Sequence, residues 1–235
     1  MLRKTVVALA LIVFSFPFAP AQTRSIKSEA PAASRITFPV GERLNYEVSW
    51  SDFIVAGELT VETKDRRSFD GVDGLHVSAQ AQSVGVVNAL VYKVNDLYES
   101  FLNAATLKPF RADKNSRRGK KREQSSVIID QQRRTARLSD GRTLEIPPDT
   151  YDLAGLLYAI RAMDLTQGKS HTFNLLEDEK IYAISVQAEG RESNIYNLRI
   201  FITNDARRLP VMITAEPKWG QVRVELTSVT GQNKK

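Results

Sequence analysis

The chain has no cysteine and only two histidines and two tryptophans among its 235 residues. Without Cys there is no disulfide, no thiol nucleophile, no Cys-ligated metal and no haem attachment. His76 and His171 are far apart in sequence and fall on separate predicted strands, which speaks against a His-rich metal site. Missing too are a Gly-rich phosphate loop, a Gly-x-Ser-x-Gly elbow and a His-Glu-x-x-His helix. No metal, cofactor or catalytic residue is therefore expected. Nor is there an apolar run of membrane-spanning length. The longest, Thr5 to Phe18, would make a helix of roughly 21 Å, against a bilayer core of about 30 Å.

That short run has its own meaning. Arg3 and Lys4 precede it, and Ala19-Pro20-Ala21 follows with the small-x-small pattern of a signal-peptidase site. The reading is a signal peptide over 1–21, a flexible leader over 22–36 rich in Ser, Pro and Ala, and a single β-rich domain over 37–231. Cleavage near Ala21 implies a periplasmic or secreted protein, with no transmembrane segment in the mature chain. In an oxidising compartment a Cys-free domain must be stable through burial and hydrogen bonding alone.

Charge is unevenly spread. Of the formal net charge of +6, two units sit on Arg3 and Lys4. Most of the remaining surplus falls between Arg111 and Arg122, where seven basic residues face only Asp113, with Glu123 just beyond. An exported protein meets no genome, so nucleic acid is not the expected partner. Anionic lipid headgroups, lipopolysaccharide or acidic glycans suit such a patch, with Arg117, Arg118, Lys120 and Lys121 as its candidate residues. The plainer alternative is a solvated hairpin tip around Ser116–Gly119, whose lysines discourage edge-to-edge aggregation.

From Phe38 onward apolar residues alternate with the two-residue period of half-buried strands. Leu44, Tyr46, Val48 and Trp50 share one face; Val55, Gly57, Leu59 and Val61 continue the pattern, as do Leu75, Val77, Ala79 and Ala81. Gly57 inside a strand predicts a bulge or a close backbone approach. The segment from Val84 to Tyr92 fits a short helix or an irregular strand. Later strands are predicted at 95–101, 107–110, 125–130, 135–138, 171–176, 181–188, 195–203, 211–216 and 221–230. Their short polar links predict antiparallel neighbours, and about ten such strands should curl into a barrel or a strongly curved open sheet.

One stretch breaks the β rhythm. Leu153, Leu156, Leu157 and Ile160 recur at i, i+3, i+4 and i+7, the stripe of an amphipathic α-helix predicted over about 150–166. Asp149 or Thr150 can cap it, and Gly168 stands where a C′ residue is wanted. The fold class is thus mainly β, an antiparallel curved sheet or barrel with one helix whose Leu stripe lies on the concave side or at the mouth. Asp152 and Arg161 are nine positions apart, on opposite sides of that helix, so Arg161 is free to meet a strand carboxylate instead.

Three segments together resemble a bacterial family of exported proteins known only as a domain of unknown function, number 3108 in that series. They are Phe38-Pro39-Val40-Gly41-Glu42 with the strand after it, the helical run from Tyr151 to Arg161, and Asn204-Asp205 with Arg208-Leu209-Pro210-Val211. The likeness runs over most of 38–230. It implies a secreted or periplasmic β-rich domain and supplies no catalytic residues.

The expected function is that of a non-catalytic envelope protein binding an apolar or amphipathic ligand. Tyr151 and Tyr158, seven apart, would share a helix face at a pocket mouth; Arg161 and Trp219 complete the candidate ligand-binding set. The alternatives are a carbohydrate- or lipid-active hydrolase using scattered Asp and Glu, and a non-catalytic scaffold docking on anionic surfaces.

Overall fold

The computed structural model describes residues 38–50, 54–69, 71–91, 93–188, 198–216 and 220–231. The predicted signal peptide and leader, and Trp219, lie outside them. The first eight strands are β1 (Arg43–Trp50), β2 (Ile54–Phe69), β3 (Val72–Ser83), β4 (Val94–Asn103), β5 (Pro109–Arg118), β6 (Lys121–Asp130), β7 (Thr135–Leu138) and β8 (Thr143–Glu145). After them come β9 (Thr150–Tyr151), helix α1 (Leu153–Ala162), β10 (Ser170–Glu177), β11 (Lys180–Gln187), β12 (Leu198–Ile202), β13 (Pro210–Ala215) and β14 (Val222–Thr230). Eleven strands make one antiparallel sheet in the order β12-β13-β14-β1-β2-β3-β4-β5-β6-β7-β8, and β11-β10-β9 make a second.

The large sheet is bent by irregularities in its ladders. Register shifts fall at Asn45/Tyr46, Val48/Ser49, Thr63/Asp65 and Phe101/Leu102. Each extra residue coils the strand locally and raises its twist. Gly57 sits beside one of them, where a Cβ would come 2.7 Å from the Gln82 carbonyl oxygen, so only glycine lets β2 and β3 approach this closely. The inward face follows the alternation read from the sequence: Leu44, Tyr46, Leu59, Val61, Leu75, Val77 and Leu102 are all buried in one cluster.

Helix α1 is shorter than the apolar stripe suggested. Asp152 accepts from the Gly155 N–H at 2.7 Å and fixes the start, so Tyr151 falls in β9 and not in the helix. Met163 turns extended at the other end, and the Arg208 guanidinium takes its carbonyl. Gly168 does not close the helix. It lies in the following turn at φ +85°, its N–H on the Ala188 carbonyl at 2.8 Å.

The helix is buried on two sides. Tyr158 and Ala162 join the core of the large sheet, while Leu156, Ala159, Ile160 and Met163 pack with Tyr151, Phe173 and Leu175 beneath the small sheet. Leu157 is half-buried against the large sheet. Burying a helix on both sides is what the second sheet accomplishes; the alternation at 171–176 and 181–188 predicts its strands β10 and β11 but not their separation from the large sheet. Strands β8 and β9, only three and two residues long, are too brief to show a period. The Val84–Tyr92 region contains a π-helical turn over Val87–Val91. No helix among the described residues is long and apolar enough to cross a membrane, which says nothing of strands.

Candidate functional site

Two charged clusters lie inside the fold, and a third sits outside on a hairpin tip. The first is built around Arg161 in the last turn of α1, which is 1 % exposed. Its Nη1 and Nη2 donate to the two carboxylate oxygens of Glu42 at 2.7 and 3.0 Å. Nε and Nη2 also donate to the carbonyls of Arg208 and Arg207 at 3.2 and 3.1 Å. The rings of Phe38 and Tyr158 flank the guanidinium at 4.8 and 5.3 Å. Four of its five N–H donors are thereby used in the planar fork that suits a carboxylate. The Tyr158 hydroxyl pairs with Thr63 Oγ1 at 2.7 Å, and burial pushes its pKa up to about 12.

The Arg207–Arg208 carbonyls are presented by a tight turn. The Asp205 carboxylate accepts from the Thr203 hydroxyl at 2.8 Å and from the Arg207 and Arg208 N–H groups at 3.0 and 3.1 Å. Those bonds, the Thr203 hydroxyl first, hold this exposed carboxyl down at about 2. The three segments that carry the family likeness, around Glu42, Arg161 and Arg208, thus meet at one point. Arg161 does find a carboxylate at the edge of a strand, but the pair is fully enclosed by protein, which makes it a structural clamp. Tyr151 and Tyr158 are not brought together: Tyr151 packs edge-on to Phe173 at 5.5 Å under the small sheet, while Tyr158 faces Phe38 at 4.7 Å on the other side of the helix.

The second cluster lines the seam between the two sheets. Register places Asp96, Tyr98 and Ser100 of β4 opposite Ser116, Lys114 and Ala112 of β5 on the inward face. Asp96 is 1 % exposed and accepts from Ser116 Oγ at 2.6 Å, the Arg117 N–H at 3.1 Å and Arg118 Nε at 2.9 Å. Lys114 reaches across the seam to Glu177 at 3.2 Å and Asp178 at 2.7 Å, at the β10–β11 turn, and its ammonium lies 5.3 Å from the Tyr98 ring centre. Burial pushes the Glu177 carboxyl up to about 7 despite Lys114, and pushes the Tyr98 phenol up to about 12. The buried Asp152 carboxyl, at the helix cap, is also raised by burial. Burial alone would lower Lys114, but Glu177, Tyr98 and Asp178 outweigh it and keep the ammonium charged. Ionisable groups held away from their ordinary values in a cleft are the usual mark of a functional site.

A pH dependence follows, with a definite sign. Glu177 titrates at about 7 in the fold against an ordinary 4.5, so between those values the folded protein keeps a proton that the unfolded chain has released. Stability through this group is therefore greatest below the ordinary value and falls as the pH rises toward 7. The gap corresponds to about 3 kcal/mol at most. Glu177→Gln should flatten the dependence of unfolding free energy on pH over this window and raise stability above it by about 1–3 kcal/mol. Urea unfolding across the range measures this, and a parental slope in the variant would shift the titration to Asp152.

The third cluster is the β5–β6 hairpin tip. Arg117 pairs across from Arg122, and Arg118 from Lys121, with Gly119 turning at φ +61°. Like charges set directly opposite cost stability. Arg118 escapes this by turning inward to Asp96, its Nη2 at 2.7 Å. Lys121 meets Glu123 at 2.9 Å. Arg117, Lys120 and Arg122 are exposed, and no carboxylate of the described residues forms an ion pair with them. Of the four basic residues expected to form an outward patch, Arg117, Lys120 and Lys121 face solvent and Arg118 does not. Trp219, the remaining candidate, lies outside the described residues. His76 is stacked on Phe101 at 4.5 Å beside Glu99.

The sequence matches the family model described as Protein of unknown function (DUF3108) over residues 45–197. The chain belongs to that family. The DUF3108 match starts within β1, runs through β11 with the helix, and stops short of both the Phe38–Glu42 segment and the Asp205 turn, so it is narrower than the likeness read from the motifs. Among solved structures the chain is similar to a β-barrel-like protein of domain of unknown function DUF1849 from Brucella abortus. The two share 11 % identity at a TM-score of 0.58, over 83 % of this chain and 99 % of that one. At that identity the likeness is one of fold. No curated protein matches the chain.

Proposed function

We propose that this DUF3108 protein is an exported envelope protein that works without catalysis and holds an apolar or amphipathic ligand along the seam between its two sheets. The observation that carries the reading is the composition of that seam. Lys114, Tyr98, Glu177 and Asp178 converge there, and the next inward positions turn apolar. Register sets Lys114 opposite Ser125, and one inward step further Ala112 lies opposite Val127. Val127, Leu144 and Ile181 are only half-buried around Ile129, Ile146 and Leu176. An anionic head would meet Lys114, displacing a carboxylate from it, and an apolar tail would cover the half-exposed aliphatic side chains. A few placed charges within a largely apolar lining are what such sites use.

Protein released gently from the periplasm and sprayed under native conditions should carry an adduct of lipid-like mass. The adduct should be lost from Lys114→Met while the variant stays folded. Consistently empty parent protein would remove the reading.

A further inference from the structure

We infer that one end of the large sheet is a docking surface for the anionic face of a lipid bilayer. This goes beyond the ligand reading and stands without it. Antiparallel pairing brings to a single rim the ends of β1, β3, β5 and β13 and the beginnings of β2, β4, β6, β12 and β14. Along that rim Leu198 is laddered to Ala215, Ala215 to Val222, Val222 to Trp50, and Trp50 to Ile54. Val84 donates to the Ala56 carbonyl at 3.1 Å, which ties the segment after β3 to the start of β2. Gly119 at the hairpin tip donates to the Lys93 carbonyl at 2.7 Å, which joins the tip to the start of β4. The rim is therefore continuous from β12 to β6.

Among the described residues this rim exposes both aliphatic and cationic side chains. Ile54, Val55, Val86 and Leu198 are exposed, Val86 by 65 %, and they make up four of the six large aliphatic residues exposed among the described ones. Beside them stand Lys93, Arg117, Lys120, Lys121 and Arg122, all exposed, against Glu123 and Glu216. Neither set suits the fold alone. Aliphatic side chains gain nothing from water, and the Arg117–Arg122 pairing is repulsive. Both are accounted for by one partner, a surface with negative charge at headgroup level and hydrocarbon just beneath it. Shallow aliphatic insertion combined with flanking cations is how peripheral proteins hold such a surface. A soluble polyanion would use the cations and leave the aliphatic rim idle, and a neutral apolar partner would do the reverse.

The test is sedimentation of the folded protein with vesicles of equal parts phosphatidylglycerol and phosphatidylcholine, with pure phosphatidylcholine vesicles and with heparin as a soluble polyanion. The parent should bind the mixed vesicles, and each cation removed should weaken binding about fivefold. Arg117→Glu, Lys121→Glu and Arg122→Glu combined should abolish vesicle binding with an unchanged thermal midpoint, because none of these side chains holds Asp96. Val86→Ser with Ile54→Ser should reduce the part of the binding that survives physiological salt, where exposed charges are screened over about 8 Å. Equal binding by the charge-reversed protein overturns the inference. So does capture by heparin without any binding to the mixed vesicles.

Discussion

Arg161→Met should lower the unfolding free energy by about 3–5 kcal/mol, the range for breaking a buried ion pair from one side. The loss is large because of what remains. Glu42 is 4 % exposed, so its carboxylate would stay in a low-dielectric pocket without its cation. The Arg207 and Arg208 carbonyls would lose their donor as well, and an unmade bond to a buried polar group costs more than a made one contributes. The double variant Glu42→Leu with Arg161→Met should recover much of the deficit, since apolar replacement of a whole buried pair is often close to neutral. Urea unfolding of the two single variants and the double one closes the cycle. A loss below about 1 kcal/mol for Arg161→Met would put the helix, β1 and the β12–β13 turn in register by packing alone.

How far this clamp was legible in the sequence is a matter of range. The helix was legible because Leu153, Leu156, Leu157 and Ile160 repeat at 3.6 residues, and β1 to β3 because their alternation is long. Glu42 and Arg161 are separated by 119 positions, and no local signal links them. A signal did exist. Counting back from Leu44 by two puts Glu42 on the inward parity of β1, and Arg161 stands among Ala159, Ile160 and Ala162, where a solvent-facing residue has no place. Asp96 carries the same mark, lying in phase with Val94 and Leu102. A charge on the inward parity of an apolar pattern has to find a partner, although the sequence does not say which. The helix ends were misplaced because capping is decided by side-chain geometry at Asp152 and by Arg208, far along the chain. The grouping of β10 and β11 with β9 is not legible in the sequence because β9 pairs in parallel with β10 across the whole helix, a connection that short-link reasoning cannot produce.

The inward parity of Asp96 leads to the second large effect. Asp96→Ala should cost about 3–5 kcal/mol, comparable to breaking the Arg161 clamp. Its carboxylate is the acceptor for a hydroxyl, a backbone N–H and a guanidinium at once, all within 3.1 Å. Alanine would strip the part-buried Arg118 of its carboxylate and leave the Arg117 N–H, at the root of the hairpin tip, without its acceptor. Replacing Arg118 by Met in the same protein should recover part of the loss. Hydrogen exchange should show the change locally: the Arg117 amide, slow in the parent, should exchange faster in Asp96→Ala than global unfolding accounts for. Reversal of the outward Arg117, Lys121 and Arg122 side chains should by contrast move stability by no more than about 0.5 kcal/mol. The two sets of variants separate the roles within one run of basic residues. Arg118 belongs to the interior and holds β5 to β4, whereas its neighbours are free to meet a partner outside. If Asp96→Ala and the charge reversals had equal effects on stability, that division would fail, and the whole run would have to be treated as a solvated edge.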